Sequence, residues 1–308
     1  MRGLAPVRAL ATLLALAGGA ACGDAPVVFV GSASGTPLDV PPTWQEHWFE
    51  HTQLLKLATN TDALAVYVDA DVDVAKASAL LPFLGSLWTY TVAHYGSMGA
   101  GRLYVVLHQG RYLGCHEDHH FSALHDGRDV IDCGFTSFDD LTKPVFLVGH
   151  VAANLVESTA DDRDSSPALP LWQDSKWAEF YQYDVYRAAG ETSAADTLYA
   201  QWTADNWVDD FPVAGTHWFR DWFYPLWRDD GGVDLMARFF ASLAKNFPRS
   251  TTDPNGYARA MNWGEFIHFM SGAAGRDLKP LATTAFHWPA AWDALYAQAR
   301  TDFPQITY

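Results

Sequence analysis

The sequence predicts an α+β protein in which a small mixed α/β part, residues 43–135, precedes a mainly helical part, residues 136–308. Two runs rich in β-formers, Ala63-Leu-Ala-Val-Tyr-Val-Asp69 and Arg102-Leu-Tyr-Val-Val-Leu-His108, flank a stretch with helical periodicity, which is a strand-helix-strand arrangement. From Asp139 onward the apolar pattern is helical almost without relief. The chain has 308 residues and 49% hydrophobic content, enough for a sizeable core.

In chain order, Thr43 is expected to cap a helix over Trp44–Leu57, where aromatic and aliphatic residues recur at helical spacing. Ala63–Asp69 is the first strand. A helix follows over Val74–Tyr95, interrupted near Pro82, and Arg102–His108 is the second strand. Gly110–Phe135, with its glycines, charges and two cysteines, reads as a loop. Helices are then expected at Lys143–Glu157, Asp174–Tyr186, Ser193–Asp205, Trp218–Trp227, Val233–Phe247, Trp263–Ser271 and Ala290–Thr301. Gly231-Gly232, Pro248 and Gly272 to Gly275 mark the breaks between them.

The 36 acidic and 20 basic residues give a net charge of −16, which disfavours nucleic acid and anionic membrane surfaces as partners. Residues 1–21 have the features of an export leader: Arg2 and Arg8, a short apolar run from Ala9 to Ala17, then small residues. Cys22, followed by Gly23-Asp24, resembles the acylated cysteine of bacterial lipoproteins, although Gly19 departs from the leucine usual in that motif. Lipid anchoring at Cys22 and simple secretion are the two expectations, and residues 22–42 read as a flexible linker. An extracytoplasmic setting leaves Cys115 and Cys133 to pair, closing a loop worth about 3 kcal/mol in the chain-entropy model.

The functional signal lies in Lys143–Glu157. His150, Asn154 and Glu157 fall at i, i+4 and i+7 and share one helix face. Roughly 25 residues on, a second helix carries Glu179. Met261–Leu278 and the turn Ala285-Phe-His-Trp-Pro289 follow in order. Over roughly Thr43 to Pro304 this layout resembles the zincin superfamily of metallopeptidases, in its gluzincin-like branch. The resemblance implies zinc, with His150 as first ligand and Glu179 as third. It places Val151 where the general base stands and Asn154 where the second imidazole stands. Valine cannot take a proton from water, and an amide oxygen is a weak zinc donor. The implied protein is therefore metallopeptidase-like with a degenerate site and impaired or absent catalysis. A buried hydrogen-bond network along the same file is the plainer alternative.

A literal His-Glu-x-x-His match occurs at His116–His120, in a polar context unlike the buried helix that motif needs. His116 and His120 are the alternative zinc ligands, with His119 and His125 as further donors for metal binding. Asp69-Ala-Asp-Val-Asp73 lacks the glycine and terminal glutamate of a calcium loop and reads as a strand end running into a helix cap. The 13 tryptophans, 13 tyrosines and 18 phenylalanines read chiefly as core, with sugar stacking as the minority reading. No Gly-x-Ser-x-Gly turn is present. The second functional class is a non-enzymatic envelope protein that binds peptide or glycan in the former cleft.

Overall fold

The computed structural model describes residues 40–99 and 101–308; the leader and Cys22 lie outside them. The fold is α+β, as the periodicities predict. Its sheet has strands β1 (Thr43–Gln45), β2 (Leu54–Asn60), β3 (Leu64–Val68), β4 (Leu103–Gln109), β5 (Gly114–Asp118) and β6 (Val130–Phe135), in the order β1-β2-β3-β4-β6-β5. The central strands β3, β4 and β6 run parallel, and the outer pairings are antiparallel.

The helices are α1 (Val74–Ala77), α2 (Leu81–His94), α3 (Thr142–Thr159), α4 (Leu169–Ala188), α5 (Thr192–Trp202), α6 (Tyr224–Asp229), α7 (Val233–Asn246), α8 (Trp263–Ala274), α9 (Lys279–Phe286) and α10 (Ala291–Asp302). A 3₁₀ turn at Ser78–Leu80 supplies the expected interruption beside Pro82, and Trp218–Phe223 is a π-helical turn leading into α6. Asp73 caps α1 as expected, accepting from the Lys76 amide. Among the described residues no helix is long and apolar enough to cross a membrane.

Three local expectations are corrected. Trp44–Leu57 is not a helix but β1, a connecting loop and β2. Its aromatic residues pack across the sheet, with Trp44 5.4 Å from Tyr67 and 6.0 Å from Tyr104 between ring centres, so tertiary packing overrides the helical spacing. Gly110–Phe135 is not a loop throughout, because it contributes β5 and β6. Every residue of β6 is buried, like those of β3, but Asp132 and Gly134 interrupt its apolar run, so the segment lacks the continuous β-forming stretch that marks β3 and β4. The expected Ala285–Pro289 turn starts inside a helix: Ala285 and Phe286 are the last residues of α9, which stops where His287 turns left-handed at φ 51°.

Each face of the sheet has its own core. Leu64, Val66, Val68, Leu103, Val105, Leu107, Ile131, Cys133 and Phe135 face the helices in one large core that continues to Phe303. The N-terminal and helical parts therefore share a single interior. Ala65, Tyr67, Tyr104, Val106 and Val130 point the other way and join Trp44, Trp48 and Leu55 in a smaller outer core. The aromatic helices are interior as well: Trp218, Phe219, Trp222 and Phe223 are all buried.

The close packing of α8 against α10 rests on a glycine. A Cβ on Gly264 would overlap the backbone of Leu295 and Tyr296, where α8 meets α10. Replacing Gly264 by alanine is expected to destabilise the fold by about 1–3 kcal/mol, read as a lowered thermal midpoint. An unchanged midpoint would show that the two helices are not pressed together there.

Candidate functional site

Helices α3 and α4 pack together, tied by the Trp177 indole donating to the Ala153 carbonyl at 2.9 Å. Along the polar file of α3, His150 and Asn154 are half-buried and Glu157 is buried. Glu157 accepts a hydrogen bond from the Trp172 indole. Val151 lies in the large core, so a carboxylate at that position would enter apolar surroundings. Glu179 is buried and accepts from the Trp207 indole at 2.8 Å. Burial pushes its carboxyl up from 4.5 to about 8, against the opposing effects of Lys176 and Trp207. Among the described residues, neither His150 nor Glu179 belongs to a group of three or more convergent imidazole and carboxyl donors.

Such convergence occurs instead on the outer face of the sheet. Strand β4 carries Tyr104, Val106 and His108 on that face, and β6 carries Val130 and Asp132. The loop from Glu46 to Gln53 folds over them and brings Glu46, Trp48 and His51. Glu46, His51, His108 and Asp132 each offer a ligand atom within 4.8 Å of the others. His108 Nε2 stands 3.0 Å from Glu46 Oε1 and 3.1 Å from Asp132 Oδ1. His51 Nδ1 stands 3.5 Å from Glu46 Oε1 and 3.2 Å from Asp132 Oδ2. Yet Glu46 Oε1, His51 Nδ1 and His108 Nε2 are buried without a hydrogen-bond partner. Their separations lie in hydrogen-bonding range, but their angles do not make regular hydrogen bonds.

Those separations match a metal's coordination shell. Donors on a tetrahedron about 2.05 Å from a zinc-sized ion stand about 3.3 Å apart. The next layer of contacts also fits. His108 Nδ1 meets Asp69 Oδ2 at 2.8 Å, the carboxyl–imidazole pairing that orients metal-binding histidines. Glu46 Oε2 accepts from the Gln53 amide at 2.8 Å, and Asp132 Oδ2 from the Trp48 indole at 2.8 Å. The His51 ring stacks on Tyr112 with centres 3.6 Å apart.

The electrostatics favour positive charge at this point. Burial would lower the His108 imidazole, but Asp132, Glu46 and Asp69 overcome it and raise it to about 10. Burial would likewise raise Asp132, while His108 and His51 hold it well below the ordinary carboxyl range. A protonated His108 and a metal ion are thus alternative sources of the positive charge that the surrounding carboxyl groups need.

A second group, His116, His125 and Asp132, shares a member with the first. The other two histidines of the segment are engaged elsewhere: His120 Nδ1 meets Asp129 at 2.8 Å, and His119 Nε2 is 3.7 Å from Asp164. The literal His-Glu-x-x-His letters start on a strand rather than a helix, and His116 and His120 join no common group. Cys115 and Cys133 form the expected disulfide. They are cross-strand partners, as are His116 and Asp132, so the bridge fastens β5 to β6 beside the site.

Sequence reasoning missed Glu46, His51, His108 and Asp132. The available signals were a histidine ending an apolar strand, and polar residues interspersed in the aromatic run Trp44–His51.

The state of Glu179 is testable through pH. Its folded carboxyl keeps a proton up to about 8, whereas the unfolded one releases it near 4.5. The folded chain therefore binds more protons between those values, and stability falls by roughly a few kcal/mol as pH rises through that window. Glu179→Gln removes this slope, so its thermal midpoint relative to the parent is expected to climb from pH 5 to pH 8. A constant difference across that range would contradict a protonated Glu179.

No protein-family model and no curated protein matches the sequence. Among solved structures, the chain is similar to a functionally unknown conserved protein from Bacillus anthracis str. Ames, at 9% identity and a TM-score of 0.46, covering 78% of this chain and 50% of that one. A mutant of that protein gives the same identity and TM-score, with 51% of its chain covered. The chain spans about half the length of these proteins, and likeness at this level carries no argument about function.

Proposed function

We propose that this chain is an exported metal-binding protein that holds a zinc-class divalent ion at Glu46, His51, His108 and Asp132, on a zincin-like scaffold without peptidase chemistry. One observation carries the reading: three buried donor atoms, Glu46 Oε1, His51 Nδ1 and His108 Nε2, converge without hydrogen-bond partners. Two imidazoles and two carboxyl groups form a donor set of the kind zinc takes, and manganese, iron(II) and cobalt accept the same atoms. Four protein ligands in a buried setting make a closed site, which welds the Glu46–Gln53 loop to the sheet.

The zincin-like part of the proposal rests on α3 and α4. His150 and Glu179 stand at ligand positions of that pattern, and Val151 and Asn154 occupy the places of the base and the second imidazole. The buried Val151 and the Trp207-bonded Glu179 support a lost peptidase site. Export, by secretion or through a lipid anchor at Cys22, draws support from the Cys115–Cys133 bridge, since such bridges persist in oxidising compartments.

The test is elemental analysis of the full-length chain purified without chelators, together with zinc-dependent melting. At least one ion per chain is expected, and zinc at 100 times its Kd adds about 2.7 kcal/mol of stability. Glu46→Gln and His108→Ala are expected to abolish that gain. A folded, metal-free chain whose melting ignores added zinc, cobalt and manganese would overturn the proposal.

A further inference from the structure

We infer that the outer-face centre is dinuclear: Asp132 bridges the ion described above to a second divalent ion held by His116 and His125. The inference rests on the first ion's site and extends it. The two donor groups meet in Asp132 alone. Its Oδ1 lies 3.1 Å from His108 Nε2, and its Oδ2 lies 3.5 Å from His116 Nε2. Oδ2 also lies 3.2 Å from His51 Nδ1 and receives the Trp48 indole hydrogen, so this oxygen stands between the two groups while Oδ1 faces His108.

The second group is built in the manner of a metal site. His125 is fully buried and is held twice by Asp118, whose Oδ2 meets its Nδ1 at 2.8 Å and its backbone amide at 3.2 Å. That contact turns His125 Nε2 toward His116 Nε2, 3.4 Å away. Two imidazole nitrogens facing each other beside a carboxyl oxygen, at 3.4 and 3.5 Å, again have the spacing of neighbouring ligands on one ion. The Trp48 ring lies 4.3 Å from the His125 ring, and Phe49 meets His116 edge-on at 4.8 Å. The His116 side chain keeps 28% of its surface exposed. The second ion therefore has three protein ligands and a side open to solvent, where the first has four, of which His51 alone keeps some exposure, 12% of its side chain.

This difference divides the labour. Closed four-ligand sites hold structure, and three-ligand sites keep a position for water or a ligand oxygen. Ion pairs bridged by one carboxylate stand about 3.5–4 Å apart in two-metal centres. The ligand class that suits the open position is a small oxyanion or a carbonyl oxygen.

The full-length chain, stripped of metal and titrated with zinc by calorimetry, is expected to bind two ions. Asp118→Asn, which keeps the shape of the side chain that positions His125, is expected to weaken only the second by roughly 10–100-fold. His116→Ala is expected to leave one ion at parental affinity. Titration with manganese should give an exchange-coupled electron paramagnetic resonance signal in the parent and an isolated-ion signal in His116→Ala. One ion in the parent with no effect of either substitution overturns the second site and leaves the first standing. Two ions that ignore His116→Ala place the second elsewhere on the surface and also overturn it. No ion at all removes both readings.

Discussion

Asp132 puts a carboxyl group on a strand that is covered on both faces, and the outer half of the molecule is arranged to satisfy it. Burying such a group alone carries a heavy penalty. Here His108 comes from the neighbouring parallel strand, His51 and the Trp48 indole from the loop after β1, and His116 from the cross-strand position on β5. The small outer core of Trp44, Tyr67, Tyr104 and Val106 excludes water around one side of this cluster. The strand order follows suit, because the parallel β4–β6 pair, with Val106 opposite Asp132 and His108 opposite Gly134, sets His108 diagonally beside Asp132.

The same fold treats its buried acids in two ways. On the helical side, Glu157 and Glu179 are each met by one tryptophan indole, from Trp172 and Trp207. An indole donates once and brings no charge, so Glu179 settles by keeping its proton. On the sheet side, imidazoles gather around the acids, and the acidic Asp132 is held ionised. Neutral donors leave a buried acid to keep its proton, and imidazoles can bring the charge that keeps one ionised.

Much of the fold was legible because periodicity is a local property. Strands β3 and β4, the interrupted α1–α2 stretch and the long run of helices from α3 to α8 and α10 follow from alternation or helical spacing within a dozen residues. The Trp44–Leu57 segment misled, since Trp44 and Trp48 are four apart and yet pack on a sheet that is formed largely by later residues. The site was less legible for a related reason. Glu46, His51, His108 and Asp132 come from three separate stretches, and none has a partner at a telling local spacing. The histidine-rich segment did announce itself, but the partner that His116 meets is His125, nine residues on, and His120 turns to Asp129.

Gly134 sits two residues past Asp132, and a Cβ there would overlap the backbone carbonyls of Arg111 and Tyr112. The close crossing lets Tyr112 lie flat on His51, so a glycine paired with His108 across the sheet sets how the Tyr112 backbone crosses the cluster. The sequence pattern behind this cluster is therefore not a pair of histidines four apart on a helix. It is a glutamate and histidine five apart, a histidine closing an apolar strand, and an Asp-Cys-Gly triplet in which the aspartate supplies the donor, the cysteine the fastening and the glycine the clearance.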